Sequence, residues 1–237
     1  MKFNSRQIIK LLAAYSSIII IIVSILVLNG YDINPKPVIK MALGLILLWI
    51  ILLGSMMYFF RDKISNIIKK IPINWQIKFI VFATMLALLE EAIAVLMTNF
   101  AGFFGSEVGI AYITASTNYL HTVIFHSVIV FLGMFIAWSY LLSKYDFSVN
   151  AVFLLFGLTG SLAEASINPN NFFAGFWFFV YGLMVYLPTY SLPKRKTRKP
   201  LIRHYIFAIV LTIIVSIAFK VIAELIRLKL GIIFFTD

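Results

Sequence analysis

Residues 79–97 read Phe-Ile-Val-Phe-Ala-Thr-Met-Leu-Ala-Leu-Leu-Glu-Glu-Ala-Ile-Ala-Val-Leu-Met. The run is long and apolar enough to cross a bilayer, yet it holds two adjacent carboxylates, Glu90 and Glu91. An ionised carboxylate in hydrocarbon costs about 2.5–3.5 kcal/mol on insertion scales. Two side by side also repel each other. If this run spans a membrane, other parts of the chain must compensate the pair. If the helix instead stops near Leu89, the pair is interfacial and solvated. The apolar stretch Ala92–Met97 favours the intramembrane placement.

The rest of the chain agrees with a membrane setting. Of its 237 residues, 62% are hydrophobic and only 12% are charged. Mean hydropathy is +1.00, and apolar runs of spanning length recur throughout. The formal net charge of +11 does not indicate nucleic-acid binding, because the basic residues lie in short loops between apolar runs, as in membrane proteins. No cysteine is present, which excludes disulfides, thiolate metal sites and cysteine nucleophiles. No P-loop or dinucleotide-binding fingerprint occurs. The basic start, Met1 to Lys10, is followed by a long apolar run with no small-residue cleavage site, and is expected to be an uncleaved first span.

Seven spans are expected: about Ile8–Leu28, Val38–Phe60, Trp75–Met97, Leu120–Leu142, Ser148–Ser166, Phe172–Tyr190 and Tyr205–Leu225. The fold class is therefore all-α, a polytopic helical bundle in one domain covering residues 1–237, in the cell membrane with the lipid bilayer as its first partner. Residues Thr98–Tyr119 contain Gly102, Gly105 and Gly109, no Lys or Arg, and one acid, Glu107. That segment is expected to be re-entrant or to lie on the membrane surface. Asn168-Pro169-Asn170-Asn171 is a strong turn.

Basic residues alternate between the two sides. Lys2, Arg6 and Lys10 precede span one; Arg61, Lys63, Lys69 and Lys70 follow span two; Lys194, Arg195, Lys196, Arg198, Lys199 and Arg203 follow span six. By the positive-inside rule the N-terminus is cytoplasmic and the C-terminus outside.

With that orientation the unusual polar residues share a depth. At 1.5 Å per residue, Glu90 lies about 10 Å below the outer edge and His126 about 9 Å below it, with Glu164 about 3 Å deep. His121 and Asn118 fall at the rim. The chain has three histidines, and two of them are in this group. Helical spacing places Glu90 with Ala83, Ala87 and Ala94 on a small-residue face that points into the bundle. Glu91 shares a face with Thr84, Leu88 and Thr98 and is expected to stay nearer water. Asn118, Thr122, His126 and Gly133 form one polar or small stripe, and Gly157, Gly160, Ser161 and Glu164 form another. His126 is expected to pair with a glutamate of a neighbouring span. Lys220 and Glu224, spaced i and i+4, are expected to neutralise each other.

A glutamate can activate water as a general base while histidine or a second carboxylate stabilises developing charge. The site residues expected on this basis are Glu90, Glu91 and His126 as catalytic groups, with His121, Glu164 and Asn118 in binding roles. The order of a Glu-Glu pair on one span and a histidine on the next resembles the CAAX-prenyl-protease and bacteriocin-processing family of glutamate-type membrane proteases. The resemblance covers Glu90-Glu91 and one or both of His121 and His126. That family's first motif continues to an arginine, where this chain has Val95. Its second places an aromatic four residues before the histidine, where this chain has Thr117 or Thr122. No later His/Asn motif follows, and the family's functional residues are not carried over.

The expected function is an intramembrane hydrolase with a site in the outer leaflet, acting on a lipid or a membrane-embedded peptide. A metal-dependent variant would use Glu90, Glu91, His126 and Glu164 as ligands, although no metal-binding motif supports it and the cofactor stays unknown. The alternatives are a proton- or cation-coupled transporter, since intramembrane acids mark such paths, and a non-catalytic membrane subunit. Against transport stand the absence of inverted repeats and the clustering of the acids in one leaflet.

Overall fold

The computed structural model describes residues 4–235. It is an all-α bundle: eleven α-helices and one π-helical segment, with only two isolated bridges, and no strand among the described residues. Six helical stretches are long and apolar enough to cross a membrane. They are α1 (Ser5–Asn29), the continuous run Pro35–Lys70, α4 (Trp75–Asn99), the run Tyr119–Lys144, α8 (Val149–Ile167) and α11 (Ile202–Lys229).

Two of these are not regular. Pro35–Lys70 consists of α2 (Pro35–Leu45), a π-helical segment Ile46–Leu53 and α3 (Gly54–Lys70). The wider π turn carries Trp49, whose ring is fully buried and whose Nε1 donates to the Val180 carbonyl at 2.9 Å. Tyr119–Lys144 is broken: α6 (Tyr119–Phe125) stops at His126, and α7 (Val128–Lys144) starts after Ser127. A break at membrane depth is tolerated only where protein or a cavity receives the freed backbone groups.

The span expected at 172–190 is shorter than a full crossing. It consists of α9 (Asn170–Ala174) and the 14-residue α10 (Trp177–Tyr190). The physical reason is the turn at 168–175, which packs on the middle of α1 rather than at its end. The Tyr15 hydroxyl donates to the Phe173 carbonyl at 2.8 Å. Gly175 has φ +73°, and a Cβ there would lie 2.6 Å from Ser16 Oγ, so both conformation and space require glycine. Although short, α10 is the most enclosed helix: nine of its residues, from Val180 to Thr189, are buried.

The two ends of the bundle differ in charge. At one end Tyr190 donates to Asp62 at 2.6 Å, the Arg61 guanidinium lies 4.3 Å from the Tyr58 ring centroid, and the Lys194–Arg203 loop folds onto the end of α7. There Arg198 N–H donates to the Lys144 carbonyl at 3.2 Å, and Asp146 N–H donates to the Arg198 carbonyl at 2.8 Å. At the other end, α5 (Ala101–Phe104) and the irregular chain up to Asn118 cap the bundle. This segment is not a re-entrant helix. It is sewn to the end of α4: Thr98 Oγ1 accepts from Ile113 N–H and from Thr114 Oγ1, each at 3.2 Å. Residues 231–235 lie at this same end, where Phe235 N–H donates to the Ala115 carbonyl at 2.9 Å.

Candidate functional site

Glu90 and Glu91 stand about 22 Å along α4 from Trp75 at 1.5 Å per residue. Both are 5% exposed. The expected division, with Glu91 staying wetter, does not hold: the capping segment 111–116 and the α6–α7 break cover its face as completely as the bundle covers that of Glu90. The pair opens into a cavity of about 340 Å³, whose lining also includes Thr114, His126, Ser127, Glu164, Tyr181 and Lys220. Helices α4, α7, α8, α10 and α11 therefore all contribute to one chamber.

The helix break does much of the positioning. His126 N–H and Ser127 N–H both donate to the Thr122 carbonyl, at 3.0 and 2.9 Å. Ending α6 there turns both side chains toward the chamber. The Ser127 hydroxyl donates to the Thr122 carbonyl at 3.4 Å, and Ser127 lines the chamber together with Glu91. Ser127 is also the N-cap of α7, so the positive end of that helix dipole faces the same region. This is compensation that the apolar run around Glu91 could not itself supply. The charged neighbours of Glu90 are the other two carboxylates, Glu91 and Glu164, and Glu164 is a neighbour of Glu91 as well.

Glu164 is held by its own helix pair. Tyr181 of α10 donates its hydroxyl to Glu164 Oε1. Asn171 Nδ2 reaches Glu164 Oε2 at 3.4 Å. Gly160 makes this geometry possible, because a Cβ at that position would collide with the Tyr181 ring. The Tyr181 ring also packs with Phe131 and Trp177, at centroid distances of 5.4 and 5.8 Å. Tyr181 escaped the sequence reading because a single tyrosine in an aromatic-rich span carries no distinguishing spacing. Ser127 escaped it because serine is common on membrane helices, and only the break gives it a role.

His126 lines the chamber but is not paired with a glutamate of α4. Among the described residues no hydrogen bond joins His126 to Glu90 or Glu91. Its charged neighbours belong to α11, namely Lys220, Glu224 and Arg227, and its ring meets Phe234 edge-on at 5.7 Å. The expected Lys220–Glu224 pair is also replaced. Arg227 binds Glu224 through Nε at 3.0 Å and Nη2 at 2.6 Å, because its guanidinium fork matches both carboxylate oxygens. Lys220 is left on the lining of the chamber.

His121 and Asn118 stay outside the chamber. Asn118 is the N-cap of α6, its Oδ1 accepting from His121 N–H at 3.2 Å. His121 packs on Phe125. Their polar character is accounted for by capping and by position at the end of the bundle. For the metal variant, no group of three or more His, Asp and Glu side chains among the described residues converges as metal ligands do. No family model, curated protein or solved structure matches this chain. The likeness to glutamate-type membrane proteases thus rests on Glu90-Glu91 and a histidine on the next membrane-spanning stretch.

Proposed function

We propose that this protein is an intramembrane hydrolase acting on a lipid or a membrane-embedded peptide. The observation that carries the reading is the chamber itself. Two buried glutamates share it with a third carboxylate, a histidine and a lysine, at a point where a membrane helix is deliberately broken. Buried acids of this kind are expensive in a membrane and are retained for chemistry or transport.

Glu91 is the base in this reading. The start of α7 at Ser127 lines the same chamber, and the positive end of its dipole favours a negative charge there. Glu91 takes a proton from water, and the water oxygen attacks an acyl carbon held in the chamber. Glu90 carries the proton that the leaving group receives. His126 and Lys220, which also line the chamber, stabilise the negative charge that develops on the acyl oxygen. By the charge asymmetry of its ends, the basic end faces the cytoplasm and the chamber lies in the outer half.

Transport is the second reading, and packing counts against it. Between the chamber and the basic end lie Trp49, Phe135, Trp138, Phe156, Leu141 and Leu142, all fully buried. Phe135 and Phe156 stack at 5.4 Å directly between α7 and α8. A path for ions would need polar groups there.

The reaction class is testable before the substrate is known. Membranes containing the protein are incubated in water enriched in oxygen-18, and released carboxylic acids are analysed by mass spectrometry. Attack of water on the acyl carbon places one solvent oxygen in the carboxylic acid and none in the leaving group. Labelled products should appear with the wild-type chain and not with Glu91→Gln. Equal labelling in both would remove the hydrolase reading.

A further inference from the structure

The basic end holds a second pocket, unconnected with the acidic chamber. It has a volume of about 390 Å³ and is lined by Trp75, Gln76, Ser143, Lys194, Arg195 and Lys196, with Pro193 and Thr197 completing the wall. A basic loop on a membrane protein is common and by itself indicates orientation. What differs here is that the loop is fixed in place. Arg198 and Asp146 pin it to the end of α7 through the two backbone hydrogen bonds already described. Arg195 Nη1 donates to the Leu142 carbonyl at 2.6 Å, and its guanidinium carbon lies 5.2 Å from the Trp75 ring centroid.

The charge in this pocket is poorly balanced. Among the described residues, the one acid near Arg195 is Asp146, at 3.9 Å and largely exposed to solvent. That distance is too long for a hydrogen bond. A guanidinium has five N–H donors, so most of those on Arg195 remain available to a ligand. Burial lowers the Arg195 pKa, with Asp146 working in the opposite direction, as expected of a cation short of counter-charge. Lys194 and Lys196 flank it on the same wall. The Thr197 hydroxyl is buried and has no hydrogen-bond partner. A fixed guanidinium, two exposed ammonium groups and an unpaired hydroxyl suit a tetrahedral oxyanion with several acceptor oxygens.

We propose that this pocket binds a phosphate group. Trp75 marks the level of the membrane interface, so an anionic lipid headgroup is the source at hand, and free inorganic phosphate is the other. Basic pockets between membrane helices on the cytoplasmic side bind phosphorylated headgroups in this way.

The test uses the purified full chain in a non-ionic detergent. Phosphatidylglycerol, phosphatidylcholine and inorganic phosphate are titrated separately, and unfolding temperature and dissociation constant are recorded. Phosphatidylglycerol should raise the unfolding temperature of the wild-type chain while phosphatidylcholine does not. If inorganic phosphate raises it as well, the pocket recognises the phosphate alone; if only the lipid does, the acyl chains contribute. In Lys194→Gln/Lys196→Gln the dissociation constant should rise roughly 30-fold, from about 1 kcal/mol per lysine near the surface. The control is Lys69→Gln/Lys70→Gln, which removes the same charge from the same end and should bind as the wild type does. Equal losses in both double variants would show a diffuse basic face and overturn the proposal. So would the absence of any shift in the wild-type chain with either anion.

Discussion

The same helices build two very different halves. Near the basic end, Phe79, Trp138, Leu141, Leu142, Val152 and Leu187 are completely buried, and α7, α8 and α10 run through without interruption. Toward the other end the same bundle contains a chamber of about 340 Å³, a broken span at His126-Ser127 and a turn at 168–175 that cuts α10 short. Trp49, Phe135 and Phe156 form the floor between them. In the packed half, large rings and branched chains interlock at the density of an organic crystal. In the open half, glycine and short polar side chains bring helices close and leave carboxylates to occupy the remaining space. Rigidity on one side of the floor is what allows irregularity on the other, because a site holds its geometry only when its support is fixed.

The largest expected effect lies in the open half. Glu91→Gln keeps the size of the side chain but removes the proposed base. Loss of a general base lowers a hydrolytic rate by about 10²- to 10⁴-fold, read as the rate of oxygen-18 incorporation. Glu90→Gln should cost less, since glutamine can still donate a hydrogen bond to the leaving group. Thermal unfolding of both variants should stay at or above that of the wild type, because each removes one of two adjacent buried acids. A loss of activity accompanied by a large fall in unfolding temperature would mean that the pair is structural, and the contrast between halves would lose its functional meaning.

The boundary between halves is tested next by Gly157→Ala. A Cβ there would lie 2.5 Å from the Phe178 carbonyl oxygen and 3.1 Å from its Cα. These are backbone atoms of α10 and cannot rotate away. The α8–α10 pair must separate, at about 1–3 kcal/mol for overpacking. Because Gly160 lies one turn further along and seats the Tyr181 ring, the hydrogen bond to Glu164 should weaken as well. Scanning calorimetry in detergent reports the first effect, and the change in oxygen-18 incorporation reports the second. A neutral result would mean that the close approach of α8 and α10 is not rigid.

Much of this was legible in the sequence, and the limits have physical causes. Glu90-Glu91 inside an apolar run, and the small-residue spacing through Gly157, Gly160 and Glu164, were enough to bring those acids to one region. Apolar length located six long helical stretches. The turn at Asn168–Asn171 was legible too, but not how deep the 168–175 segment lies, because turn residues specify a reversal without specifying its depth; the contact with Tyr15 and Ser16 sets that. Apolar length did not reveal the break at His126-Ser127 either. No proline or glycine sits there, so the local preference was helical and tertiary surroundings overrode it. The exchange of Glu224 from Lys220 to Arg227 has a similar origin. An i,i+4 spacing allows the first pair, but Arg227 also donates to the Ile232 carbonyl at 2.6 Å, which fixes its guanidinium where the fork can take both Glu224 oxygens.

Trp49→Phe probes the floor and should have a smaller effect. It keeps most of the ring volume but removes the Nε1–H donor to the Val180 carbonyl. A single neutral hydrogen bond contributes about 0.5–1.5 kcal/mol, so the unfolding temperature should fall modestly and hydrolysis should be nearly unchanged. A large loss of activity would instead show that the π-helical segment reaches the chamber through α10.

The smallest effect is expected from a glycine that the packing does not need. Gly102 lies in the short helix α5, with nothing within 4 Å of where a Cβ would stand. Its backbone is already helical, so alanine fits without strain. Gly102→Ala should therefore stabilise by about 0.4–1 kcal/mol through the unfolded chain, which loses freedom it would otherwise have kept. Placed beside Gly157→Ala, the same substitution should carry opposite signs in two parts of one molecule. That sign difference depends on whether the segment 100–118 is a surface cap resting on the end of α4. If Gly102→Ala destabilised the protein, α5 would have to be packed against something in the membrane, and the cap would belong to the chamber rather than merely close it.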